Sequence, residues 1–130
     1  MSPSRPNPDI LETEWDILDA LWTAQRATAR QVTEALHGKR GWAYSTVKTM
    51  LDRMVDKTLV KARQVGTVWE YESAVPRSRA QRWAWRRLVD TAFGGAVAPT
   101  LAFATKDSRL DAEERKALRA LLDGMEDGDE

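Results

Sequence analysis

The chain has 130 residues, 42% of them apolar and 31% charged, which suits one ordinary globular domain or two very small ones. With no cysteine and a single histidine, His37, it excludes disulfides, thiolate metal sites, cysteine nucleophiles and any histidine relay. The formal net charge of zero hides an asymmetry: residues 1–25 carry one basic and five acidic side chains, residues 26–87 carry 14 and five, and residues 88–130 carry five and ten. A basic middle between acidic ends predicts a surface that meets a polyanion, with a merely solvated basic surface as the alternative.

Residues 1–9, with Pro3, Pro6 and Pro8, read as a flexible tail. No apolar run reaches the roughly 20 residues of a membrane span and no signal core opens the chain, so we expect a cytoplasmic protein with no membrane partner. A first helix is predicted from Glu12 or Thr13, with Ile10, Trp15, Ile17, Leu18, Leu21 and Trp22 near helical spacing. Thr28 reads as the N-cap of a short second helix through Val32, Ala35 and Leu36. Gly38 and Gly41 bracket a basic turn, Lys39-Arg40, whose side chains are candidate phosphate contacts.

The third predicted helix, ending near Lys57, grows out of GWAYSTVKTMLDRMV, residues 41–55. At 100° per residue Val47, Met50, Leu51, Met54 and Val55 share one sector. Ser45, Thr49 and Asp52 point away from it, flanked by Thr46 and Arg53 on one side and Lys48 on the other. A core does not need hydroxyls and a lysine at a helix start. A DNA-reading helix does, because its N-terminal residues meet base edges: threonine offers a hydroxyl and a methyl, and lysine suits guanine O6/N7. An ordinary polar helix face is the alternative reading of the same residues.

The period then changes. Leu59–Val65 and Val68–Ser73 have strand composition, and Gly66-Thr67 between them suits a type II′ turn. Three helices followed by a two-stranded ribbon make a winged helix-turn-helix, placed at residues 10–75. Lys61 and Arg63 on the hairpin, and Arg30 near the start of the second helix, are candidate phosphate contacts. Trp42 and Tyr44 are candidates to donate to phosphate from the domain edge, with core packing as the alternative.

Beyond Pro76, helical spacing resumes over about Arg77 to Phe93, Gly94-Gly95 interrupts it, and a small-residue segment runs to Phe103. A last helix is predicted from Asp111, where Asp111 and Glu114 have capping-box spacing. Residues 76–125 therefore read as a helical dimerisation domain, and 126–130 as a disordered acidic tail. Fewer than 50 residues cannot easily bury Trp83, Leu88, Phe93, Leu101, Phe103, Leu118, Leu121 and Leu122 alone, so a symmetric partner is expected, with a helical extension folded back on the winged helix of a monomer as the alternative. The fold class is mostly α with a small β-hairpin. Little supports an enzyme, since no nucleophile–base pair, metal set or phosphate loop can be assembled with one histidine and no cysteine, and no metal or cofactor is implied. The other competing reading is a winged helix used for protein–protein contact without DNA, against which Lys48, Arg53, Lys61 and Arg63 argue.

The run Gly41 to Met54 resembles the signature of the penicillinase and methicillin-resistance repressors, the BlaI/MecI family, which also includes CopY-type copper-responsive repressors. EWDILDALW at 14–22 and TARQV at 28–32 are similar to that family's first two helices, and Trp69-Glu70-Tyr71 to its second wing strand. The resemblance implies a cytoplasmic bacterial repressor, homodimeric through its C-terminal region, binding palindromic double-stranded DNA operators with TACA and TGTA half-sites. In the antibiotic-resistance members it further implies a sensor-protease system as upstream partner, cleaving at an Asn-Phe bond. The nearest equivalent here, and the candidate cleavage site, is Ala102-Phe103, with alanine in place of asparagine. The cysteine cluster of the copper-sensing branch is missing.

Overall fold

The computed structural model describes residues 9–107 and 109–127; the side chains of residue 122 and of residues 124–127 fall outside the description. The described chain forms two compact units, one up to Trp85 and one from Arg86. Residues 1–8 of the predicted tail at 1–9, and residues 128–130 of the predicted acidic tail at 126–130, lie outside the described residues.

In the first unit, α1 (Glu12–Ala24) opens with Glu12 and Glu14 in its first turn, where negative charge suits the helix dipole. The Glu14 carboxylate reaches back to accept from the Leu11 N–H at 2.9 Å. β1 (Ala27–Thr28) leads straight into α2 (Ala29–Ala35), which starts on a reciprocal capping box: Thr28 Oγ1 accepts from the Gln31 N–H, and Gln31 Oε1 accepts from the Thr28 N–H. The predicted basic turn is a single helical turn, α3 (His37–Arg40), closed by Gly41 at φ 65°, which suits glycine. α4 (Tyr44–Asp56) follows.

The wing is β2 (Val60–Val65) and β3 (Val68–Ser73), antiparallel and in register from Val60↔Ser73 to Val65↔Val68. Gly66 sits at φ 66° while Thr67 does not enter the left-handed region, as a type II′ turn requires. The sheet has one strand more than the sequence predicts. β1 pairs with β3 on the side away from β2, giving the order β1-β3-β2. Two residues are too short for any periodicity to announce, so β1 is legible only from the pairing.

Register assigns the sheet faces, because side chains alternate. Ala27, Ala62 and Tyr71 face the helices, and Tyr71 is 2% exposed. They join Ile17, Leu18, Leu21, Val32, Val47, Leu51, Met54 and Leu59 in one core. Trp22 closes its edge by donating Nε1–H to the Val75 carbonyl at 2.9 Å and to Ser73 Oγ at 3.0 Å. α5 (Arg77–Ala92) begins in this unit, where Ala80 is buried and Trp83 packs half-buried on the same core.

In the second unit, α6 (Val97–Thr105) occupies the small-residue segment and α7 (Ala112–Asp127) the last predicted helix. Pro99 falls in the first turn of α6, where its missing N–H costs nothing. Asp111 and Glu114 form the predicted capping box, with the Glu114 N–H 2.8 Å from Asp111 Oδ1. Residues 126–127 belong to α7 rather than to a disordered tail. The Phe93 and Phe103 rings pack at 6.1 Å. Leu88, Phe103 and Leu121 remain 48%, 69% and 66% exposed.

Candidate nucleic-acid interface

α4 divides as its wheel requires. Val47, Leu51 and Met54 are fully buried, with Met50 and Val55 partly so, and they seat the helix on the core. Ser45, Thr46, Thr49 and Arg53 are exposed, and among the described residues no hydrogen bond or ion pair engages their side chains. Burying one stripe fixes where the opposite stripe points. The free hydroxyls and the guanidinium are thus presented together from a rigid element, on the helix that follows the α2–α3 turn.

Around the start of α4 the structure collects cations and rings. The Arg30 guanidinium lies 5.5 Å from the Tyr44 ring centroid, joining the beginnings of α2 and α4. Lys48 Nζ lies 3.0 Å from both carboxylate oxygens of Asp52 and 6.0 Å from the centroid of Tyr71. Hydrogen bonding to Asp52, and secondly to Tyr71, holds the Lys48 amine above the ordinary lysine range. Between helix start and wing runs a cleft of about 370 Å³ lined by Thr28, Arg30, Tyr44, Lys48, Trp69 and Tyr71. Trp69, 46% exposed, did not figure among the candidate residues. Its two-residue spacing from the buried Tyr71 was the available signal, since both share the inner sheet face.

The other candidates fall differently. Trp42 is partly buried against the core, with the Arg40 guanidinium 5.3 Å from its ring. Lys61 and Arg63 are exposed on the outer sheet face, directly across from Glu72 and Glu70. Arg26 pairs with Glu72 on the same face at 3.0 Å. Three cations and two carboxylates leave that face only mildly basic.

Part of the basic middle is also paired within the molecule, so the charge asymmetry overstates how many cations are left free at the surface. Lys39 and Arg40, candidate phosphate contacts by sequence, both pair with Asp16 of α1, Lys39 at 2.9 Å. Hydrogen bonds from Lys39 and then Arg40 hold the Asp16 carboxyl below its usual range. Lys57 pairs with the buried Glu14 at 2.8 Å, and Arg77 with Asp19 at 3.1 Å. The acidic first helix is therefore the partner of several cations that sequence alone assigns to a polyanion. Arg30, Arg53, Lys61, Arg63, Arg79 and Arg82 are the cations of this unit's basic segment that stand exposed outside these pairs.

Among the described residues, no group of three or more His, Asp or Glu side chains is placed to hold a metal ion. No single described helix is long and apolar enough to cross a membrane.

A family model described as penicillinase repressor matches residues 10–124. The transcriptional regulator BlaI of Mycobacterium tuberculosis is 31% identical over 129 residues, covering 90% of this chain and 85% of that protein. The methicillin resistance regulatory protein MecI of Staphylococcus aureus is 23% identical over 115 residues, covering 88% of this chain and 93% of its own. Among solved structures, the solution structure of Bacillus licheniformis BlaI, a monomeric form in complex with the blaP half-operator, matches with a TM-score of 0.50 at 23% identity. It covers 56% of this chain and 89% of that one.

Proposed function

Since the chain belongs to the penicillinase repressor family, whose members are transcriptional repressors and not enzymes, we propose that it represses transcription by binding a palindromic DNA operator as a homodimer. The observation that carries this reading is the unpartnered face of α4. Ser45, Thr46, Thr49 and Arg53 are exposed and, among the described residues, unbonded, while the opposite face is locked into the core. Thr46 and Thr49 address base edges in the major groove; Ser45 and Arg53 hold phosphates and set the helix's register. Arg30 and Tyr44 flank the same helix start, and Arg63 and Lys61 reach phosphates from the wing.

Two further parts of the proposal rest on the second unit. Leu88, Phe103 and Leu121 expose more apolar surface than a unit of 45 residues is expected to leave in water, and a second copy of the chain covers it. A two-fold protein reads a two-fold site, so the operator is palindromic, with TACA and TGTA half-sites as its family-based candidates. Release through a sensor-protease system would act at Ala102-Phe103. That bond lies within α6, so the helix must open before a protease can take the segment as an extended strand.

The test is a titration of the full chain against a TACA/TGTA palindrome and against scrambled DNA of equal length. Thr46→Ala should shrink the ratio of the two affinities, by about 1–3 kcal/mol if a base contact is lost. Arg53→Ala should weaken both and preserve the ratio. Equal affinity of the wild-type chain for both DNAs, at every salt concentration, would remove the operator reading.

A further inference from the structure

Asp52 stands on the DNA-facing side of α4, where a carboxylate repels phosphate and offers nothing to the core. Its side chain is 57% exposed. Both of its oxygens lie 3.0 Å from Lys48 Nζ, one helical turn earlier, and Lys48 leans from there toward the Tyr71 ring on β3. The neighbouring Ser45, Thr46, Thr49 and Arg53 have no such tether. An ammonium carries three N–H donors. With the Asp52 carboxylate engaging it, the strongest point charge near the helix start is neutralised before any DNA arrives.

We propose that Asp52 is a specificity-determining residue: it withholds Lys48 from phosphates, so that the helix surrenders affinity on non-operator DNA. This inference rests on the DNA-binding reading and deepens it. The physical reason is a difference in competitors. On arbitrary sequence Lys48 can gain only a phosphate contact, in place of the carboxylate it already holds, while Asp52 is left facing the polyanion. On an operator the register is set by Thr46, Thr49 and Arg53, and a base-edge acceptor such as guanine O6/N7 is brought to Lys48 at a fixed position. The exposed one-turn pair is weak enough to yield to that acceptor. Specificity here comes from a repulsive element as much as from an attractive one.

Asp52→Asn keeps the shape and removes the charge. On scrambled DNA it should tighten binding several-fold and steepen the slope of log K against log salt by about 0.9, as Lys48 takes up a phosphate. On the operator the gain should be smaller, so the affinity ratio falls. In the double variant Lys48→Ala with Asp52→Asn, the added slope on scrambled DNA should vanish. Equal tightening on both DNAs, or an extra slope that survives in the double variant, overturns the proposal; the latter would make Asp52 a simple repulsive charge. A melting temperature close to wild type certifies each variant as folded, which the exposure of both side chains favours. Failure of the wild-type chain to prefer an operator would sink the DNA-binding reading instead, so the two failures are distinguishable.

Discussion

Asp16 offers the sharpest test of how the first unit holds α4. The perturbation is Asp16→Asn, which keeps volume and removes charge. Asp16 has a side chain only 10% exposed and receives Lys39 and Arg40, 66% and 30% exposed, from the α3 turn just ahead of α4. The Lys39 contact is nearly a surface pair and is worth under about 1 kcal/mol. The Arg40 hydrogen bond is less screened, and bonds to charged groups contribute about 1.5–3 kcal/mol. An amide retains part of the hydrogen bonding, and both cations can rehydrate. The net loss should be about 1–2 kcal/mol, a fall in Tm of about 4–16 °C for a unit of this size. The sign with pH follows from the lowered carboxyl pKa. A folded pKa below the unfolded one stabilises the protein above the ordinary carboxylate range, and that contribution fades as pH falls through the folded value. Urea unfolding of both proteins from neutral to acidic pH should therefore show a gap that narrows on acidification. A gap of the same size throughout would mean lost packing rather than lost charge. No gap at neutral pH would mean that the pair contributes nothing. The same variant frees two cations ahead of α4, so its salt slope on DNA should steepen by up to about two units.

Leu51→Ala, at a fully buried position under α4, should cost about 2–5 kcal/mol and weaken DNA binding in parallel; a stable variant with unaltered unfolding would show that α4 is not seated as described. Leu121→Ser should shift the full chain toward monomer in sedimentation at micromolar concentration, and a wild-type chain that already sediments as a monomer would refute the dimer. Arg63→Ala should flatten the salt slope by about one unit if its outer-face position reaches a phosphate past Glu70, and an unchanged slope removes it from the interface. Limited proteolysis of the full chain should leave Ala102-Phe103 intact until α6 is destabilised; early cleavage there in the native protein would contradict the helix.

Local chemistry made much of the architecture readable from the sequence. Thr28 with Gln31 and Asp111 with Glu114 are caps whose partners lie three residues apart, so their hydrogen bonds are implied by spacing alone. Gly66 announced a two-residue turn because few other residues tolerate its backbone, and the buried stripe of α4 follows from helical period. The polar face opposite that stripe was legible for the same reason, since whatever seats a helix also aims its other side. What depends on distant partners was not legible. β1 exists only because residues 27–28 lie beside Tyr71 and Glu70, 42 or more positions away. Lys39, Arg40 and Lys57 looked available to a polyanion until the fold brought Asp16 and Glu14 of α1 against them. Lys61 and Arg63 met Glu72 and Glu70 only through strand register. Helical and strand periods act over a few residues along the chain, whereas charge pairing acts across space, so a count of charges along a sequence says which ions are present and the tertiary structure alone says which are left unpaired to meet DNA.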